Sequence, residues 1–366
     1  MRFPFRIPAS AALCILTLAG AALAQPAGKT AEQAFKNIQA LNGTPADQLF
    51  PTMQFIAASL GVECEFCHVE RKFDSDEKPA KLTARKMIAM TLAINKDSFN
   101  SRKEVTCYTC HRGSHDPVGT PPVLTSDAAP EHTEAGPAPA DITAERIIDK
   151  YVAAVGGTDA LHKVTSRVSK GTISFAGHDV PIEVFTKAPD KRMSITHSER
   201  GESITAFDGK VGWLGSNGHL THEMSAQEAD AARFDADFYL ATDLKRIFSS
   251  FRVGRPDTID GHAVYVLSCM RPGQPPVRLF FDQSSGLLVR EVRYSDTPVG
   301  RNPTQIDYAD YRAADGVKTP FRWTLARVNG RFTIQIQEAR QNVPIEDAKF
   351  AMPEQAAAPG SGPVGH

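Results

Sequence analysis

Cys64-Glu65-Phe66-Cys67-His68 and Cys107-Tyr108-Thr109-Cys110-His111 repeat one spacing, C-x-x-C-H, and hold four of the six cysteines. That spacing is the attachment pattern for c-type haem. The two-residue gap lets both sulfurs reach one porphyrin edge as thioethers. The adjoining histidine is then placed to give the iron its proximal nitrogen. Two complete sites predict two covalently attached haem c groups, one on Cys64, Cys67 and His68, the other on Cys107, Cys110 and His111. The competing chemistries are a thiol redox pair and a zinc site of two cysteines and two histidines. An exported, oxidising setting weighs against zinc.

The start of the chain predicts that setting. Arg2 and Arg6 precede an apolar run over residues 9–22, and Ala22-Leu23-Ala24 ends it with small residues where a signal peptidase cuts. This reads as a signal peptide over residues 1–24, cleaved before Gln25, with an uncleaved anchor as the alternative. Cys14 leaves with it, and the predicted location is the periplasm. The formal net charge of −1 argues against nucleic acid as a partner.

The elements that must position the cysteines come next. Residues 25–113 read as a two-haem cytochrome c domain. Residues 30–41 are compatible with a helix. Thr44-Pro45 caps a second helix, Pro51 bends or restarts it, and Gly61 ends it just before Cys64. Residues 83–94 carry Met87, Met90 and Ile94 on one stripe, and that helix is predicted to end near Asn95.

These helices bear on the second axial position of each iron. Met53 lies eleven residues before Cys64, while Met87 and Met90 lie twenty and seventeen before Cys107. A thioether there raises the potential and closes the iron, a second histidine lowers it, and an empty position admits small ligands. Methionines also fill core gaps. Spacing favours Met53 for the first iron and does not choose between Met87 and Met90 for the second. A second histidine must come from His115, His132 or further on, since His68 and His111 are the only histidines between Gln25 and Gly113.

The segment Thr83-Ala84-Arg85-Lys86-Met87-Ile88-Ala89-Met90-Thr91, then Ile94-Asn95, then Val105 to Gly113, resembles the photosynthetic reaction centre cytochrome c subunit family. Leu60-Gly61-Val62-Glu63-Cys64 and the rest of the first motif resemble a second unit of it, so the likeness runs over residues 31–113. The resemblance implies helix, turn and C-x-x-C-H units in which the first methionine of R-x-M-x-x-M-T is the ligand. That falls on Met87, with Met90 as packing and Met53 as the ligand of the first haem. The family's subunit typically carries four haems, against attachment sites for two here. Residues 95–100 lack the distal histidine that the family places after such a helix. The resemblance therefore implies a two-haem, non-photosynthetic electron carrier.

Residues 114–141 are proline-rich and read as a linker, and residues 353–366 as a disordered tail. Between them, 142–352 reads as a β-rich α+β domain. A first helix runs to Gly156-Gly157, and a helical interruption spans 225–248. Phe332, Ile334 and Ile336 alternate with polar residues, and Asp208-Gly209, Asn217-Gly218, Asp260-Gly261, Asp315-Gly316 and Asn329-Gly330 mark turns. The expected fold class is thus multidomain: an α-helical multihaem cytochrome c domain, then a curved antiparallel sheet with packed helices. The order of elements in that sheet resembles the half-barrel of periplasmic lipoprotein carriers, a shape that can hold an apolar ligand or equally serve as a docking platform filled by its own helices. Cys269 reads as a buried thiol, Trp213 and Trp323 as core aromatics, and His219 and His222 as a solvated turn. The leading functional expectation is single-electron transfer between periplasmic or membrane-bound redox proteins. A carrier whose β-rich domain holds an apolar ligand, and an open-haem enzyme or sensor, are the alternatives.

Overall fold

A computed structural model describes residues 29–117, 142–175, 177–328 and 330–353. The predicted signal peptide, most of the linker, His132, Asn329 and the tail beyond residue 353 lie outside these residues. The helical region comprises α1 (Ala31–Ala34), α2 (Ala46–Leu60), α3 (Cys64–Cys67), α4 (Pro79–Phe99) and α5 (Cys107–His111). Next come α6 (Ala144–Ala154), α7 (Thr158–Lys163), β1 (Ser166–Phe175), β2 (His178–Lys187), β3 (Lys191–Ser198), β4 (Gly201–Phe207), β5 (Gly212–Ser216) and β6 (His219–Glu223). The helical interruption is α8 (Ala226–Ala236) and α9 (Leu240–Ile247). The chain finishes with β7 (Ser250–Val253), β8 (Asp257–Ile259), β9 (His262–Met270), β10 (Val277–Asp282), β11 (Leu288–Thr297), β12 (Gly300–Ala314), β13 (Val317–Arg327), β14 (Gly330–Gln341) and a 3-10 turn, Asp347–Phe350.

Local chemistry explains most boundaries of the helical region, and three expectations there need correction. The helix expected over residues 30–41 is only the four residues of α1. Asn37 takes φ 59° instead, because its side chain is held by Asp74 O at 2.6 Å and Asp76 Oδ1 at 2.8 Å. Helix α4 runs past Asn95 to Phe99 and ends at Asn100 in the left-handed region (φ 52°). Asn95 does not cap it, since its amide is engaged elsewhere, as shown below. Pro51 neither stops nor restarts α2. Thr52 Oγ1 donates to Gln48 O at 2.6 Å and Asn302 Nδ2 to Pro51 O at 2.8 Å, so carbonyls around the proline find partners.

The strands form one antiparallel sheet in the order β6-β5-β4-β3-β2-β1-β14-β13-β12-β11-β10-β9-β7, with β8 also on β9. Most neighbours in sequence pair as hairpins; β14 instead returns beside β1, joining the two halves, β7 pairs with β9, and β6 and β7, separated by α8 and α9, do not pair. Asn217-Gly218, Asp260-Gly261 and Asp315-Gly316 all sit at positive φ in two-residue turns, as their residue types require. Expectation and fold part on curvature. The sheet is open, neither closed nor strongly curled, with β6 and β7 as unjoined edges.

Helices α6, α7, α8 and α9 cover one face, where Ile147, Ile148, Tyr151, Leu244, Phe281 and Leu279 share a core. Cys269 is buried there at 1% exposure, and burial pushes its thiol up to about 12. Trp213 is 3% exposed and donates to Phe350 O at 2.9 Å, while Trp323 is half-buried beside Ile334 and Ile336. His222 is an exposed residue bonded to Glu228 at 3.0 Å.

One contact was not legible from the sequence. The tip of the β11–β12 hairpin enters the helical region, where Val299 (1% exposed) joins Leu41, Leu49, Phe55, Ile56 and Ile88. Gly300 lies so close to Phe55 that a Cβ would meet its ring at 2.4 Å.

Candidate functional site

Each C-x-x-C-H stretch folds as a single helical turn, α3 or α5, with its histidine at the end. His68 Nδ1 lies 3.0 Å from Phe73 O, and His111 Nδ1 lies 3.0 Å from Ser114 O. A carbonyl can only accept, so Nδ1 carries the hydrogen in both rings. The neutral ring then keeps its lone pair on Nε2, the arrangement of a histidine prepared to bind a metal. Burial is the main cause holding the His68 pKa below its usual value, against the pull of the Phe73 bond, and this favours the neutral ring.

A polar network fixes the loop that orients His68. Lys81, nearly buried, donates to Phe73 O and Ser75 O at 2.8 Å each and lies 3.3 Å from Asp76. Arg85 reaches Asp76 at 3.0 Å and Asn37 O at 3.0 Å. Hydrogen bonds from Arg85 first, then Lys81 and Asn37, hold the Asp76 carboxyl down to about 2. Sequence reasoning assigned none of these residues. The i, i+4 spacing of Lys81 and Arg85 on α4 was the available signal.

The second turn is braced differently. Thr106 and Thr109 bond reciprocally, Thr109 N to Thr106 Oγ1 at 3.3 Å and Thr106 N to Thr109 Oγ1 at 3.0 Å. Buried Asn95 clamps the chain before Cys107, donating to Val105 O at 2.6 Å and accepting from Val105 N at 2.9 Å. Arg112 and Gly113 take positive φ and turn the chain so that Gly113 N donates to Ser59 O at 2.8 Å.

Gly61 sits at that junction with φ 65°, and a Cβ there would meet Gly113 O at 2.1 Å. Gly61→Ala is therefore expected to cost about 1–3 kcal/mol through left-handed strain and backbone clash. Denaturant titration checks it: an unchanged midpoint would show that the α2 end and the second turn are not locked together.

No disulfide joins the four motif cysteines, and burial raises the thiol pKa of Cys67 and Cys107. Met87, Ile56, Leu60, Cys107, Cys110 and His111 wall one cleft with about 890 Å³ of space, part of it open to solvent. Met90, His115, Phe66 and Cys67 line it too, so residues of both motifs share its walls. Met53 does not line this cleft. It is half-buried on α2 and packs with the cluster around Phe55 and Ile56. The structure thus gathers the residues predicted for the second site and leaves both Met87 and Met90 beside them.

The chemistry of these walls fits a flat apolar group. Ten large apolar side chains are exposed among the described residues, and eight lie in the helical region, including Phe66, Phe73, Met87, Met90 and Tyr108. A region this short does not ordinarily leave so much apolar surface wet unless something covers it. No three His, Cys, Asp or Glu side chains converge as a metal-ligand set among the described residues.

Comparison with known proteins agrees. Residues 15–143 match the family described as photosynthetic reaction centre cytochrome C subunit. Cytochrome c-554 of Chloroflexus aurantiacus is 33% identical over 84 residues, 21% of this chain and 20% of that protein. The photosynthetic reaction center cytochrome c subunits of Thermochromatium tepidum and Roseobacter denitrificans are 31% and 35% identical over 98 and 99 residues, 26% and 24% of this chain. The chain spans only 20–26% of the length of these curated relatives. The C-terminal region weakly resembles lipoprotein-carrier folds. A DUF1329 family protein from Desulfovibrio piger superposes with TM-score 0.42 at 12% identity, covering 57% of this chain and 96% of that one. A LolA superfamily protein from Nitrosomonas europaea gives TM-score 0.39 at 14% identity, over 57% and 98%.

Proposed function

We propose that this chain is a periplasmic two-haem c-type cytochrome that passes single electrons between redox proteins. One observation carries the reading. In both C-x-x-C-H turns a backbone carbonyl 3.0 Å from Nδ1 sets the histidine with Nε2 free. Cys64 and Cys67, then Cys107 and Cys110, supply the two thioether pairs. His68 and His111 are the proximal ligands, and Met53 and Met87 the distal ones. A haem held this way supplies reversible one-electron chemistry. The remaining work falls to the chain: the carbonyls of Phe73 and Ser114 hold the rings, Lys81 and Asn95 hold the segments around them, and apolar walls exclude water. Cys67 walls the cleft of the second site, which supports close placement of the two cofactors. Export through residues 1–24 belongs to the same reading, as does a cytochrome c domain at 25–113 whose core takes in Val299 of the later hairpin.

An optical redox titration of the purified holoprotein tests it. The expected result is two one-electron waves, with the reduced spectrum unchanged by carbon monoxide because both irons are closed. A carbon monoxide shift would mean an open iron and turn the reading toward catalysis or sensing.

A further inference from the structure

A second cavity lies far from both motifs, under the helix layer of the β-rich region. Its walls include Tyr151 and Val155 of α6, Phe238 and Leu240 at the start of α9, Val317 of β13 and Arg167 of β1. It contains about 510 Å³ of space, part of it open to solvent. The walls are apolar and aromatic except for Thr319 and two cations, Arg167 and Lys318 at the β13 edge.

Arg167 is the anomaly. Its Nε is shut from solvent and hydrogen-bonds to nothing. Among the described residues no carboxylate pairs with it, and only the face of the Phe238 ring, 5.4 Å from the guanidinium carbon, answers its charge. Burial lowers its pKa to about 10, which still leaves it charged at neutral pH. Arg293 in the same sheet shows the usual arrangement, 2.9 Å from Asp235 and 3.0 Å from Glu291. Opposite Arg167 across the β1–β14 pair, Gln341 has a buried carbonyl oxygen that also lacks a donor. Arg167 as a whole is half-buried, so its terminal nitrogens stay accessible, and a cation at an apolar wall with no carboxylate partner is placed to take an anion.

We propose that this cavity binds the carboxylate of a medium-chain fatty acid, with Arg167 holding the head and the wall of Tyr151, Val155, Phe238 and Leu240 holding the chain. The charge selects the head, and the limited space selects a chain of about eight to twelve carbons over a larger lipid. The site is independent of the haem reading, since it shares no residue with either motif.

Calorimetry of the holoprotein with octanoate and with 1-octanol tests the proposal. Octanoate is expected to bind about tenfold or more tighter than the alcohol. Arg167→Gln is expected to abolish that preference while leaving the alcohol unaffected, and Arg167→Lys to restore part of it. Removing an unpaired charge should leave the melting temperature of Arg167→Gln equal to or above that of the parent. The proposal is overturned if the parent protein binds neither probe or binds both alike, the result expected if Arg167 closes on Gln341 in solution. It is overturned equally if a folded Arg167→Gln protein keeps the preference. The parent's choice between the two probes decides the matter even without a variant.

Discussion

Protein unfolded in denaturant is expected to keep two haems on the chain, and its intact mass to exceed the polypeptide by two haem masses. Only a covalent link survives denaturation, and the two C-x-x-C-H turns provide two pairs of thiols for it. The double change Cys107→Ala and Cys110→Ala should leave one haem per chain and about half of the haem absorbance. The remaining half should belong to Cys64 and Cys67, because the polar network of Lys81, Asp76 and Arg85 sits on the first turn and does not depend on the second. A mass showing no covalent group would remove the haem reading altogether and return zinc or thiol chemistry to consideration. Three groups would require an attachment site other than these two.

The motifs, the helix that leads into each, and the hairpin turns of the sheet were legible because each is encoded within a few residues. Gly61, Asn217-Gly218 and Asp315-Gly316 announce positive φ by residue type alone. What the sequence hid depends on contacts across long separations. The expected first helix shrank to α1 because Asn37 is drawn to Asp74 and Asp76, 37 and 39 residues away. Val299 enters the core of the helical region from a hairpin some 250 residues after Leu49, with Asn302 reaching Pro51 O across 251 positions. Periodicity reports which face of an element is apolar and is silent on what covers it. The histidine orientations fall between these cases. Each carbonyl lies three or five residues from its histidine, yet no residue type marks a backbone oxygen as a partner. The Arg167 cavity was invisible for the opposite reason: an arginine in a strand looks solvated until the helices over it are known.

The choice between Met87 and Met90 rests on the narrowest margin. Three residues along a helix place two side chains about 60° apart in azimuth and about 4.5 Å apart along the axis, on one face. Both line the cleft of the second site, at 38% and 45% exposure, so burial does not separate them. The family pattern assigns the ligand to the first of the pair, and Thr91 Oγ1, donating to Met87 O at 2.9 Å, steadies the turn that carries it. A thioether on ferric haem gives a weak charge-transfer band near about 695 nm and raises the potential. Met87→Ala is expected to remove one haem's share of that band. It should also lower one of the two midpoints by on the order of 100 mV, well inside the range of roughly 0.8 V that axial ligands span. Met90→Ala should leave band and midpoints in place and lower only the melting temperature, as loss of a packing side chain does. The reverse pattern would move the ligand one helical turn along α4. A band insensitive to both changes would point to His115, which lines the same cleft. In that case the affected iron would have two nitrogen ligands and a potential already low in the parent protein, so the titration and the variants together distinguish all three assignments.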